Sequence, residues 1–190
     1  MFPPIFRADN KLQINELLDI SLNDVEKKSS VSLINAIIKQ RSVKSSEEIA
    51  EIKSALKITN LIHQKSMTST SPGKYEYEIV AEMEEIIKSN AVNLAYPIIF
   101  TKNGQILHNS IYNNQIKDGD LLLNDSGANS LLHYASDITR TFPANGKFTT
   151  QQKEIYLIVQ EMQETVLKHL KPGVSFLEMH KLSALIGIKR

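Results

Sequence analysis

Two aspartates are the residues of this chain whose positions most clearly suggest a catalytic or metal-binding role. Asp125 follows the apolar run of residues 121–123, and Asp137 lies inside a strand predicted over residues 133–141. A carboxylate in buried surroundings is costly unless it is paired or bound to a cation. Carboxylates on adjacent strands can converge, and two or more of them suit a pair of hard divalent ions. The alternative, that either aspartate caps a turn or pairs with Arg140, stays open at this point.

His108 is the third candidate, at the end of a short strand predicted over residues 105–108. An imidazole titrates near neutral pH, so this side chain could position a substrate or transfer a proton. An ordinary surface histidine is the alternative. The other histidines have no partner spacing that indicates a function. They are His63, His133, His169 and His180.

Composition narrows the class of protein. The 190 residues fit one ordinary domain, and the net charge is +1, from 22 basic and 21 acidic residues spread along the chain. We therefore expect no nucleic-acid partner and no membrane partner, since neither a basic stripe nor an apolar run of about 20 residues is present. The chain has no cysteine, which excludes disulfides and thiolate chemistry and suits a reducing cytoplasm.

The hydrophobic patterns predict an α+β protein with helices packed on an antiparallel sheet. Helices are predicted over residues 10–18, 32–39, 45–68 and 79–87, over a long segment from Thr149 or Thr150 to about 170, and from Ser175 to the terminus. Strands are predicted over residues 95–100, 105–108, 121–123 and 133–141.

A short sequence pattern that recurs after 100 residues indicates a repeated unit. Pro72-Gly73 and Glu78 recur as Pro172-Gly173 and Glu178, each time between a long helix and an amphipathic one. A common helix–turn–helix connection is the alternative to a duplicated half-domain.

Several segments of this sequence resemble the Xaa-Pro aminopeptidase (aminopeptidase P) branch of the pita-bread metallopeptidases. The most specific run extends from Asp125-Ser126-Gly127-Ala128 to residues 134–143. The other matching segments are residues 41–49, 106–108, 114–123, 145–149 and 152–156. By this resemblance, residues 1–43 are a remnant of an N-terminal domain, and residues 44–190 are the first half of a catalytic domain with the start of its second half.

The resemblance implies a fold and a site. The fold would be an incomplete pita-bread (creatinase/aminopeptidase-like) fold, and the site would hold two divalent ions, with manganese expected and cobalt or zinc as alternatives. Asp125 falls on an aspartate that binds one ion, Asp137 on one that bridges both, and His108 on a histidine of the substrate pocket. The implied reaction removes an N-terminal residue that precedes proline, by means of a water activated by the two metals.

The sequence also departs from the family pattern. The later histidine and two glutamate ligands have no counterpart among these residues, so we expect weak metal binding and a chain that is inactive alone. A polar Asn124 replaces the usual aliphatic residue, and it would need a partner inside the protein. Ser126 and Asn129 are the other departures.

The resemblance and the departures from it lead us to expect one of three functions and one of two kinds of partner. The first function is a peptidase that acts on proline-containing peptides. The alternatives are a non-catalytic pita-bread module that binds a peptide or protein, and a gene remnant without function. An open sheet edge and an uncovered apolar face would favour a homodimer or a complementing C-terminal chain as partner.

Overall fold

A computed structural model describes Phe2 and residues 7–106 and 108–189. The chain divides into two compact units, Met1–Glu51 and Ile52–Arg190. None of the described helices is both long and apolar enough to cross a membrane.

The first unit contains two short helices, α1 (Ala8–Leu18) and α2 (Val31–Ser42). Ser30 caps α2, because its hydroxyl accepts a hydrogen bond of 3.2 Å from the backbone N–H of Leu33. Val25, between the two helices, is fully buried.

Helices α3 (Ser46–Ser69) and α4 (Glu76–Ser89) cover the sheet of the second unit. A capping box starts α3: Glu48 N–H donates to the Ser45 hydroxyl, and the Glu48 carboxylate accepts from Ser45 N–H at 2.8 Å. Helix α3 begins one residue after its predicted start at residue 45, and α4 begins three residues before its predicted start at residue 79.

Within the described residues, three strands form one antiparallel sheet in the order β1-β2-β3. The strands are β1 (Ile99–Thr101), β2 (Leu121–Ser126) and β3 (Ile138–Pro143). Asp125 lies opposite Ile99 on one side and Thr139 on the other. The side chains of β2 alternate between a buried face and a half-exposed face, which is the two-residue period of a strand.

The core lies between this sheet and the apolar faces of α3 and α4. Its members are Ile62, Ile79, Val80, Met83, Ile87, Val92, Ile98, Phe100, Ile116, Leu122, Ala128 and Ala144. The predicted α+β class is confirmed.

Helices α5 (Thr150–His169) and α6 (Phe176–Lys189) form the second copy of the repeat indicated by the sequence. The pairs α3–α4 and α5–α6 end and begin at positions displaced by 100 residues, and Gly73 and Gly173 adopt φ angles of +100° and +93°. Such angles are strained for a residue with a Cβ atom. The repeat therefore extends from sequence to local structure.

Three strand predictions, over residues 95–100, 121–123 and 133–141, were wrong in their bounds, and a fourth has no strand among its described residues. Residues 95–98 are not a strand: Ala95 N–H bonds to the Gly127 carbonyl, Pro97 has no N–H to give to a ladder, and β1 begins only at Ile99. The strand predicted over residues 105–108 is also absent from its described residues. Ile106 N–H instead closes a turn on the Asn103 carbonyl, while Leu107 lies outside the described residues.

The strand predicted over residues 133–141 begins later, at Ile138, and runs to Pro143. His133 has a φ of +64°, which does not fit a strand, and its N–H closes a turn on Ser130. Asp137 therefore precedes β3 rather than lying inside it, and Asp125 lies inside β2 rather than past its end.

Candidate metal centre

The hydroxyl of Tyr96 joins the two aspartates. It lies 2.6 Å from Asp125 Oδ1 and 2.7 Å from Asp137 Oδ1, so the two carboxylates are held within twice a hydrogen-bond length of each other. The carboxylates of β2 and of the segment before β3 thus converge on one point.

One pocket contains all three residues singled out in the sequence. Its volume is about 380 Å³, and it is lined by Tyr96, Pro97, Ile99, His108, Ser110, Asp125 and Asp137. The structure therefore brings His108 to the same cavity as the two aspartates.

The alternation of β2 directs Asp125 into this pocket. Leu122, Asn124 and Ser126 occupy the buried face of the strand, so Asp125 projects from the opposite face. Ile99, its partner in the ladder, lines the same pocket.

Gly127 allows the segments that carry the two aspartates to approach closely. A Cβ atom at this position would lie 1.9 Å from the Ser136 carbonyl oxygen and 3.2 Å from a ring carbon of Tyr96. Only glycine fits between these two neighbours. The close contact with Ser136 draws the start of β3, and with it Asp137, toward the end of β2.

His108 lies in a loop rather than at the end of a strand, with a φ of +53°. A buried carboxylate, Glu76, binds both ends of this loop. It accepts hydrogen bonds from Lys102 N–H at 2.9 Å and from the Asn114 side-chain amide at 2.9 Å. The loop is therefore anchored on either side of His108.

Tyr96 keeps its proton at neutral pH. Burial raises the pKa of its phenol, and the hydrogen bonds to Asp125 and Asp137 raise it further. A phenol has a single proton to donate, so it can satisfy one carboxylate at a time. Asp125 and Asp137 would hold a cation through their carboxylate oxygens, which are the ligands that hard divalent ions prefer. The donor set therefore fits a divalent metal.

The opposite face of β2 carries a buried polar network. Asn124, fully buried, donates to the Ser66 hydroxyl at 2.8 Å and to His63 Nδ1 at 3.3 Å. Burial lowers the pKa of His63, against the opposing effect of backbone hydrogen bonds with Ser126 and Ile138. Asn124 thus has the hydrogen-bond partners that a polar residue at a buried position needs. The neutral imidazole of His63 is one of them.

Sequence reasoning missed two contributors to this site. The sequence analysis assigns Tyr96 only to a strand, although a tyrosine before a proline within an apolar run is a signal of a bend. His63 gives no signal in the sequence, because its partners lie more than 60 positions away in the chain. Among the described residues, no group of three or more His, Cys, Asp or Glu side chains forms a metal cluster.

The fold and the site define a class, an α+β protein with a carboxylate pair suited to divalent metals, and comparisons with known proteins identify its family. The model of metallopeptidase family M24 matches residues 50–185. The Xaa-Pro aminopeptidase of Escherichia coli (strain K12) is 43% identical over 144 residues, which cover 73% of this chain and 32% of that protein.

Solved structures agree with this match. Escherichia coli aminopeptidase P in complex with substrate gives a TM-score of 0.81 at 34% identity, over 96% of this chain and 43% of that one. The zinc-substituted enzyme in complex with product gives a TM-score of 0.72 at 40% identity, over 77% of this chain and 34% of that one.

The chain belongs to metallopeptidase family M24. Its relatives are Xaa-Pro aminopeptidases, and its fold is part of their pita-bread fold. It spans about a third of the length of the curated relatives that it matches.

Proposed function

We propose that this chain carries one part of a two-metal Xaa-Pro aminopeptidase site, in which Asp125 and Asp137 are metal ligands and His108 faces the substrate. The observation that carries the proposal is the convergence of both carboxylates on the Tyr96 hydroxyl, in a pocket that His108 also lines. Manganese is the ion proposed, on the basis of the family resemblance.

Each of these residues has a definable task. Asp125 and Asp137 supply anionic oxygens from two neighbouring segments, and Tyr96 fixes their orientation by donating a hydrogen bond. When bound, a pair of divalent ions lowers the pKa of a water and polarises a carbonyl. His108 lines the pocket, and in this proposal it would donate a hydrogen bond to a peptide group and so orient it.

We further propose that this chain alone does not complete the reaction. The family resemblance implies five protein ligands, and this sequence supplies the two aspartates. The remaining ligands would come from residues outside this sequence. Metal binding by two carboxylates alone should be weak, since water occupies most coordination positions.

The experiment combines Mn²⁺ binding with hydrolysis of a short Xaa-Pro peptide. We expect saturable Mn²⁺ binding by the wild-type chain, weaker binding by Asp125→Asn and Asp137→Asn, and no hydrolysis. Asp118→Asn is the matched control, because the substitution removes the same charge from an exposed carboxylate that accepts a hydrogen bond from the Asn145 side chain, outside the pocket.

Two results would contradict the proposal in different ways. Equal Mn²⁺ binding by wild type, Asp125→Asn and Asp137→Asn would exclude the metal-ligand roles. Hydrolysis by the chain alone, lost in Asp137→Asn, would keep those roles and show that the site is complete without another polypeptide.

A further inference from the structure

Helix α3 presents three polar side chains to the interior of the protein. Thr59, His63 and Ser66 are spaced by four and three residues, so they lie on one side of the helix, and all three are buried. We call these residues the polar face of α3. A buried polar group costs free energy unless it is hydrogen-bonded, so their positions call for a reason beyond packing.

Part of the polar face binds the residues on either side of Asp125. Ser66 and His63 accept hydrogen bonds from the Asn124 amide at 2.8 and 3.3 Å. Because Asn124 donates to Nδ1, the neutral imidazole has its proton on Nε2, which lies 3.4 Å from the Ser126 hydroxyl. Asn124 and Ser126 are the immediate neighbours of Asp125 on β2.

The other part binds the residue before Asp137. The Thr59 hydroxyl lies 2.7 Å from the Ser136 hydroxyl and accepts a hydrogen bond of 3.0 Å from Ala128 N–H. The Ser136 hydroxyl in turn donates to the Ala128 carbonyl at 2.9 Å. Thr59 therefore joins the segment after β2 to the segment before β3.

We propose that the polar face of α3 is a positioning element that sets the separation of the Asp125 and Asp137 carboxylates, and thereby the affinity for the metal. This inference rests on the proposed function. Apolar packing is non-directional and tolerates small shifts, whereas hydrogen bonds fix both distance and direction. A metal site needs its ligands held to within about 0.5 Å, and supporting groups of this kind commonly change metal affinity by about 10–100-fold.

The test is the Mn²⁺ dissociation constant of the 190-residue chain, measured from the paramagnetic relaxation of water protons. Thr59→Val keeps the shape of the side chain and removes the hydroxyl, and we expect at least about tenfold weaker binding. Thr59→Ser restores the hydroxyl and should restore the affinity. Thr68→Val is the matched control, because the exposed Thr68 hydroxyl donates to carbonyls of its own helix and, within the described residues, to no part of the site.

A cycle with Asp137→Asn separates positioning from general destabilisation. If Thr59 acts through Asp137, Thr59→Val will not weaken binding further once Asp137 has been replaced. A purely structural effect would weaken binding by the same factor in both backgrounds. His63→Leu provides a second variant, should Thr59→Val unfold.

The outcomes distinguish this inference from the proposed function. Mn²⁺ binding by wild type with an affinity unchanged in Thr59→Val, or equal losses in both backgrounds, would overturn the positioning role alone. Absence of saturable binding by wild type would overturn both. Tenfold loss in Thr59→Val, with rescue by Thr59→Ser and no change in Thr68→Val, would support the positioning role.

Discussion

At the scale of single residues, the site depends on one phenol shared by two carboxylates. Tyr96 contacts Asp125 and Asp137 within 2.7 Å, and its proton offsets the repulsion between them. A charge-assisted hydrogen bond of this kind is stronger than a neutral one. The sequence indicated the carboxylates, and the structure adds the group that joins them.

The protonated state of Tyr96 leads to a prediction about alkaline stability. Its folded-state pKa lies above the ordinary value of about 10, so its contribution to folding is present below pH 10 and decreases as the pH rises past that value. We expect Tyr96→Phe to lower the free energy of unfolding at pH 7 by about 1 kcal/mol. We expect this difference to shrink above pH 10, measured by urea unfolding at both pH values.

Tyr77→Phe is the control, because the Tyr77 ring is half exposed and stacks on Tyr75 outside the site. The same alkaline loss of stability in wild type and Tyr96→Phe would contradict the role assigned to this phenol.

At the scale of elements, close contacts between segments decide where the side chains of the site lie. The end of β2 and the start of β3 meet at Gly127, and α3 and α4 are joined by an ion-pair cluster around Glu82. Both contacts can be tested by single substitutions.

We expect Gly127→Ala to destabilise the fold by at least about 2 kcal/mol, because the new methyl group would overlap the Ser136 carbonyl. Thermal unfolding measures this loss. Gly104→Ala is the control, since the three atoms nearest to the added methyl group there all belong to the Leu123 side chain, at 3.2 Å or more. Equal stability of the two variants would show that the β2–β3 contact is looser than described.

Because the pKa of Glu82 is lowered in the folded protein, we expect a loss of stability in acid. Hydrogen bonds from Ser69 and Lys65 and the charge of Lys74 lower its pKa to about 2. Its contribution is therefore present above the ordinary pKa of 4.5 and is lost as the pH falls toward 2. The side chain is 30% exposed, so we expect Glu82→Gln to cost only about 1 kcal/mol at pH 7.

Chemical denaturation at pH 7 and pH 2.5 tests this expectation, with Glu84→Gln as an exposed control on the same helix. A deficit in Glu82→Gln that is as large at pH 2.5 as at pH 7 would argue against an ionic contribution.

At the scale of the whole molecule, α5 and α6, with the start of the connection between them, expose many large apolar side chains. These side chains are Ile155, Leu157, Val159, Leu167, Leu170, Phe176, Leu177, Leu185 and Ile188. Neither helix has a buried residue, although the two pack on each other. A soluble monomer rarely exposes an apolar surface of this extent.

We therefore expect the chain to self-associate. Sedimentation velocity over a range of concentrations should show dimers or larger species, and Phe176→Ser with Ile188→Ser should shift the population toward monomer. Leu131→Ser is the control, because Leu131 is similarly exposed but belongs to a turn before β3 rather than to α5 or α6. A monodisperse monomer at every concentration would exclude this role for the apolar surface.

The sequence by itself determined the features that depend on near neighbours. The caps at Ser45, Thr149 and Ser175 each involve a partner three positions away, so their signals are local. The turns at Gly73 and Gly173 are equally local, because the steric freedom of one residue allows them. The α+β class and the two aspartates were predicted from similarly short patterns and from the family resemblance.

Only the tertiary structure decided which distant segments pair. Asn124 is hydrogen-bonded to His63, 61 positions away in the chain, and Ser136 to Thr59, 77 positions away. No periodicity within either segment carries that information, because hydrogen-bond partners so far apart are chosen by the packing of the whole unit. The strand bounds were wrong for the same reason: a strand extends only as far as its neighbour pairs with it, and that neighbour is set by the fold.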